Sequence, residues 1–321
     1  MTEGVGSAWL FGGSGFIGRH LARGLIRRGY DVTIVDLVPP ANIEVGERFL
    51  FSDVRREITH PAAAPSLVVN LAAVHRTPGH QDSEYFETNI AGAQNVTRWA
   101  SGVGASKLVF TSSISVYGAM DAVKDENSEP SPNTAYGKSK WLAEAIHRDW
   151  ASAGLDRQLS VCRPAVIFGS GENGNFTRLA KALRRRRFAY PGTPDVVKSC
   201  GYVSDLVDAL LFASDRELEL FNFCFPTPYT IENICQAFHD VAGYRLPRTV
   251  PPSLLRFAVN ALTSLPASLR PSELHPDRVR KLTISTNIRP RALQTAGYSW
   301  STDLASALAD WRATSNGLDF A

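Results

Sequence analysis

Phe11-Gly12-Gly13-Ser14-Gly15-Phe16-Ile17-Gly18 is the stretch on which the reading of the fold turns. It follows an apolar run at 8–11 and opens an amphipathic segment at 16–28. A strand, a glycine-rich turn and a helix in that order present bare backbone N–H groups at a helix N-terminus. An oligophosphate can bind there without any basic side chain. Gly12 allows the tight turn, Gly15 the close approach of a pyrophosphate, and Gly18 the contact between helix and sheet.

The alternation continues outward from this turn. Apolar runs at 32–35, 67–71, 108–110 and 159–162 alternate with helical patterns at 84–100 and 136–151. Near-continuous apolar strands separated by helices predict an α/β fold: a Rossmann-type doubly wound parallel sheet covered on both faces. Residues 121–132, rich in Asp, Glu, Ser and Pro, read as a surface loop. Beyond residue 168 the pattern loosens. It becomes a loop at 169–174, helices at 176–187 and 202–214, a strand at 221–225 and a helix at 230–242. Thr230 is the expected N-cap of that last helix and Gly243 its terminator. The expected organisation is a dinucleotide-binding unit over 1–168, to which segments near 200–225 return, and a smaller, partly interleaved C-terminal α/β lobe over 169–321.

Composition narrows the function classes. The 321 residues are 44% hydrophobic and 20% charged, which excludes a disordered chain. Cys162, Cys200, Cys224 and Cys235 are widely spaced, with no His in ligand spacing, so they read as core thiols of a reducing compartment and imply no disulfide and no metal. The net charge of +3 divides into −2 over residues 1–150 and +5 over 151–321. That surplus is too small for non-specific nucleic-acid binding, and its arginines suit a compact anionic ligand. No run of ~18 apolar residues occurs. The nearest, 253–269, is interrupted by Arg256, Asn260 and Pro266 and reads as a packed helix or lid. With no secretory leader either, the expected location is cytoplasmic, with no membrane and no nucleic-acid partner.

Three further features carry chemistry. Asp36 closes the second strand 18 residues after Gly18, where a carboxylate can bind both hydroxyls of an adenosine ribose and repel a 2′-phosphate. Positions 37 and 38 are Leu and Val, not Arg, which favours NAD over NADP. Tyr136 and Lys140 share one helix face at i,i+4. A phenol with a pKa near 10 needs such an ammonium to become a base at neutral pH. Ser113, at the end of a strand, lies where ligands bind in parallel α/β sheets and could hold the oxygen that Tyr136 deprotonates.

FGGSGFIG, the strand-ending Asp36, Asp53-Val54, NLAA at 70–73, FTSSISVYG at 110–118, YGKSK at 136–140 and YVSDL at 202–206 occur in an order that resembles extended short-chain dehydrogenases/reductases. More narrowly, the chain resembles the NAD-dependent epimerase/dehydratase branch acting on nucleotide sugars, from residue 7 to about residue 300. The resemblance implies that Gly12, Gly15, Phe16, Ile17 and Gly18 hold the pyrophosphate of NAD, Asp36 its ribose, and Asp53 and Val54 its adenine. Ala72, Ala73, His75 and Asn89 would lie along the nicotinamide side, and Pro164 would also touch the cofactor. Ser113, Tyr136 and Lys140 would be the catalytic set, with Tyr136 and Lys140 also touching the cofactor. Ser113, Ser115, Asn175, Arg178 and Arg280 would bind a nucleotide-diphosphate sugar.

Two positions depart from the pattern. Phe11 stands where a Thr is usual, and Ile114-Ser115 stand where 4,6-dehydratases carry Asp-Glu. Without that carboxylate pair, dehydration gives way to epimerisation through a transient 4-keto sugar. A nucleotide-sugar 4-ketoreductase or dehydrogenase is the alternative, and a 3β-hydroxysteroid-type dehydrogenase is a more distant one. The resemblance further implies a homodimer paired through the helix faces at 84–100 and 136–151, although those faces by themselves equally suit packing within one chain.

Overall fold

A computed structural model describes residues 6–76, 79–250, 283–315 and 319–320. Seven parallel strands form the central sheet: β1 (Gly6–Phe11), β2 (Tyr30–Asp36), β3 (Glu47–Phe51), β4 (Leu67–Asn70), β5 (Lys107–Thr111), β7 (Gln158–Pro164) and β11 (Leu220–Phe223). They lie in the order β11-β7-β5-β4-β1-β2-β3. The order reverses between β1 and β4, and ligands of doubly wound sheets bind in the crevice outside that switch point.

The pleat explains why the strands read as unbroken apolar runs. Ala8 and Leu10 of β1 point to one face, packing with helices α1 (Phe16–Arg27) and α5 (Val203–Asp215). Trp9 and Phe11 point to the other, against α2 (Asp82–Gly102) and α3 (Ala135–Ser152), where Trp99 lies 4.7 Å from the Trp9 ring. With both faces covered, β4 is buried throughout and β1, β2, β5 and β7 are buried over most of their length, while β3 at the sheet edge stays partly exposed.

A second core gathers Phe168, Phe176, Phe238, Trp311 and Phe320. It joins β8 (Val166–Phe168), α4 (Asn175–Arg184), β10 (Cys200–Tyr202) and α6 (Ile231–Ala242) to α7 (Leu304–Thr314). Thr230 caps α6 and Gly243, at φ +71°, ends it, as expected. The helix expected to reach residue 187 stops at Arg184, and Arg186 takes φ +54°. Residues 121–132 are not loop throughout. Met120–Lys124 form strand β6, which pairs with β13 (Thr286–Ile288) about 160 residues away and so left no local signal. All four cysteines are buried free thiols. Among the described residues, no helix is long and apolar enough to cross a membrane.

The C-terminal segment is tied to the sheet through Asp205 of α5, which is fully buried. Its Oδ1 accepts the Ser301 N–H at 3.0 Å and its Oδ2 accepts the Thr302 hydroxyl at 2.6 Å, while Tyr298 donates to its carbonyl at 2.7 Å. Hydrogen bonds to a buried charge are among the stronger ones, and truncating the acceptor leaves buried donors unsatisfied. Asp205→Ala is expected to lower the unfolding free energy by about 2–4 kcal/mol. Denaturant titration followed by tryptophan fluorescence checks this.

Candidate functional site

The switch-point crevice is built first by β1 and its turn. Gly12 sits at φ +78°, and a Cβ there would lie 2.6 Å from the Ala72 nitrogen. Its N–H donates to Val35 O at 2.8 Å. The turn is thereby wedged between the end of β2 and the loop after β4, and only glycine fits. Helix α1 then starts with Gly15 at its cap position, without a side-chain cap or an acidic residue in its first turn. Its positive end and first N–H groups, those of Phe16, Ile17 and Gly18, have no side-chain anion of their own.

The Ser14 hydroxyl is buried without a hydrogen-bond partner, a rarity that marks a place made for a ligand. Asp36 lies beside it. Its Oδ2 accepts the Ser14 N–H at 3.0 Å and its Oδ1 accepts the Leu37 N–H at 2.7 Å. An uncapped helix end, an orphaned hydroxyl and an adjacent carboxylate fit a dinucleotide's pyrophosphate and ribose. Asp53 is gripped by Arg55, whose guanidinium hydrogen bonds hold its carboxyl below the usual range. Val54 is buried in the core, and its carbonyl accepts from Asn95 at 2.8 Å.

The other wall of the crevice is local chemistry at the ends of β5 and α3. Ser113 caps a single helical turn, Ile114–Tyr117, accepting the Ser115 N–H at 3.1 Å and donating to the Ser115 hydroxyl at 3.2 Å. Thr134 caps α3 by accepting the Gly137 N–H at 3.0 Å. A Cβ at Gly137 would stand 2.5 Å from Ser115 O, so the two capped turns touch backbone to backbone.

That contact brings the Tyr136 hydroxyl close enough to Ser113 for the serine to favour the phenolate. Burial pushes the Tyr136 phenol up to about 12, with Ser113 pulling the other way. Lys140 follows one turn later, 2% exposed. Its Nζ donates to Thr111 O at 2.8 Å and stands 4.8 Å over the Phe110 ring. Burial lowers the Lys140 ammonium to about 7, against the nearby Glu144 carboxylate. Sequence reasoning expected the ammonium to lower the phenol, whereas burial is the larger influence on both groups.

Asn89 uses its amide on protein. It accepts the Val74 N–H at 3.0 Å, donates to Val74 O at 3.2 Å and to Ser139 Oγ at 2.8 Å. It therefore fixes the loop that carries Ala72, Ala73 and His75. Desolvation, and then the Lys140 charge, hold the His75 imidazole below its ordinary value. Pro164 is buried at the end of β7. Ser115 lies beside Ser113, while Asn175 and Arg178 lie at the exposed start of α4, with Arg178 donating to Asn175 Oδ1 at 2.7 Å. The buried Glu172 takes the Thr177 N–H at 2.9 Å, so that N–H at the start of α4 is already engaged. Arg280 lies outside the described residues, as do Arg278, Lys281 and the apolar run 253–269.

Sequence reasoning passed over the group beneath Lys140. Glu144, fully buried, receives Arg163 Nε at 2.8 Å and Nη2 at 2.7 Å, with Arg148 at 3.0 Å. Arg163 also donates to the Tyr117 hydroxyl at 3.0 Å, which donates to Asn222 Oδ1 at 2.9 Å. The signal was present: Tyr136, Lys140 and Glu144 continue one i,i+4 row along α3.

A lysine lowered to about 7 by burial has a stability consequence. The unfolded chain keeps that proton up to about 10.5, so folding releases it between those values, and the lysine's contribution to stability rises with pH across the window. Lys140→Met is therefore expected to raise stability most at pH 6, with the advantage narrowing as pH climbs from 7 towards 10. Paired denaturant titrations at pH 6 and 9 check this, and parallel curves would count against it.

Residues 8–222 match the NAD dependent epimerase/dehydratase family. An Escherichia coli O157:H7 protein, N-acetyl-alpha-D-glucosaminyl-diphospho-ditrans,octacis-undecaprenol 4-epimerase, is 34% identical over 206 residues, 63% of this chain and 61% of that one. The chain thus spans about three fifths of that relative's length. The solved structure of the NAD dependent NDP-hexosamine 5,6-dehydratase TunA superposes with a TM-score of 0.77 at 24% identity, covering 98% of this chain and 99% of that one. MoeE5 in complex with UDP-glucuronic acid and NAD superposes with a TM-score of 0.71 at 26% identity, covering 95% and 97%. NAD is the cofactor of this family, in agreement with the expectation from Asp36. With its glycine turn and its Ser-Tyr-Lys cluster within the matched residues, the chain belongs to the NAD dependent epimerase/dehydratase family.

Proposed function

We propose that the protein is an epimerase of diphosphate-linked sugars that works by transient oxidation to a 4-keto sugar. The observation that carries the proposal is the apposition of Ser113 and Tyr136, with Lys140 one turn along the same helix, at the switch point of the sheet and without an acidic pair after Ser113. In this reading residues 1–168, with the returning strand β11, bind the dinucleotide, and residues 169–321 bind the substrate. Phe16, Ile17 and Gly18 hold the pyrophosphate by their N–H groups, and Asp36 the ribose. NAD, when bound, supplies a reversible hydride acceptor.

Tyr136 removes the proton of the sugar hydroxyl, and Ser113 holds that oxygen in line. Lys140 stabilises the phenolate by its charge, which its low pKa makes sensitive to surroundings. Ser115 and Arg178 orient the sugar diphosphate, and the ketone turns over in the pocket before reduction from its other face. The α2 and α3 surface, where Trp141 and Leu142 stay 42% and 43% exposed, is the proposed homodimer contact.

A second reading has its own support. The E. coli relative's name specifies a sugar diphosphate on a lipid, not on a nucleotide. The apolar sequence 253–269 suits a lipid chain better than a nucleoside. Incubation with NAD and either UDP-N-acetylglucosamine or polyprenyl-diphospho-N-acetylglucosamine, followed by sugar analysis, separates the two. The expected outcome is a C4 epimer from one of them with no net absorbance change at 340 nm. Stoichiometric NADH formation or loss would indicate a dehydrogenase or ketoreductase instead. Tyr136→Phe is expected to lower turnover by at least about 10³-fold while retaining NAD, since it removes the acid–base group alone. Asp36→Ala is expected to weaken NAD binding about tenfold or more and to admit NADP, as read by cofactor titration.

A further inference from the structure

The arginines at 184–187 are not absorbed by the proposed reaction. All four are exposed, because α4 ends at Arg184 and the left-handed turn at Arg186 throws the run off the helix surface. Strand β9 (Tyr190–Pro191) follows and pairs with β12 (Thr249–Val250), and Tyr190 donates to Arg248 O at 3.0 Å. This pairing brings a second basic segment alongside, with Arg245 and Arg248 exposed. Arg184 stands close enough to the Tyr244 phenol to act on it.

Lys181 joins the group from the last turn of α4. No acidic residue occurs in 173–194 or in 241–250. Among the described residues, none of these seven cations forms an ion pair. Asp319 approaches the same Tyr244 phenol, yet the group is predominantly cationic on a chain of net charge +3, and it repels itself unless an anionic surface meets it.

We propose that this face, formed by 181–187 and 245–248, docks the protein on an anionic phospholipid bilayer. Guanidinium groups match lipid phosphates in fork geometry. Leu246, 42% exposed between two of the cations, offers an apolar point for the headgroup region. A single-stranded nucleic acid fits less well. The aromatic rings of the patch, Phe188 and Tyr190, pack edge-to-face 5.9 Å apart, with Tyr190 buried, so no ring is presented for base stacking. The proposal stands whether the sugar is carried by a nucleotide or by a lipid.

Co-sedimentation with vesicles tests it on the full chain. The protein is expected to bind phosphatidylcholine vesicles containing about 30% phosphatidylglycerol and to leave vesicles of phosphatidylcholine alone. Binding should fall steeply as salt rises, since the Debye length shrinks to about 8 Å at 0.15 M. Each basic side chain near such a surface strengthens binding about fivefold, roughly 1 kcal/mol. The quadruple variant Arg184→Gln, Arg185→Gln, Arg186→Gln, Arg187→Gln should therefore bind at least thirtyfold more weakly. A matched variant carrying Arg27→Gln, Arg48→Gln, Arg98→Gln and Arg216→Gln should bind nearly as the natural protein does. No binding to anionic vesicles, equal binding to neutral ones, equal loss in both variants, or tighter binding to a single-stranded oligonucleotide would each overturn the proposal. Loss of sugar epimerisation would not, because the vesicle assay does not read it.

Discussion

Beneath the candidate site, a carboxylate and a guanidinium are buried against each other. Glu144 and Arg163 meet through two bonds of 2.7 and 2.8 Å, one from α3 and the other from β7. Removing both charges from water is costly, and only the paired geometry with Arg148 and Tyr117 offsets it. The pair fixes how α3 lies on the sheet. Everything above follows from that position: the first turn of α3 rests on Ser115, Tyr136 reaches Ser113, and Lys140 reaches Thr111 O. From Arg163 the same network runs through Tyr117 to Asn222 on the edge strand, so the site and the end of the sheet are held by one set of bonds.

The crevice then joins two opposite electrostatic solutions. At the phosphate end, binding capacity lies in backbone N–H groups and a helix end, which need no basic side chain. At the Tyr136–Lys140 end, burial moves the phenol up and the ammonium down. Such groups are costly to the fold and responsive to a bound ligand's charge, the combination expected where proton transfer is done. The division of charge along the chain acquires a location in the same way. The acidic-leaning first 150 residues carry the glycine turn with its backbone N–H groups, while the basic surplus beyond them is concentrated on the exposed edge at 181–187.

Much of this was legible in the sequence because it is local. The glycine turn at 12–18, the caps at Thr230 and Gly243 and the Tyr136–Lys140 face depend on neighbours within a few residues, and local spacing records them. Doubly covered strands likewise announce themselves by unbroken apolarity. The Glu144–Arg163 pair, the β6–β13 ladder and the Asp205 tie to Ser301 and Thr302 join segments 19, about 160 and nearly 100 residues apart. No spacing rule records those. Local spacing was enough for the parallel sheet, the glycine turn and the Tyr136–Lys140 row on one helix face. The tertiary structure alone decided which distant segments meet, and therefore how deeply those side chains are buried and how far their proton affinities move. The physical reason is that propensity acts over a few residues, whereas desolvation depends on everything that packs around a group.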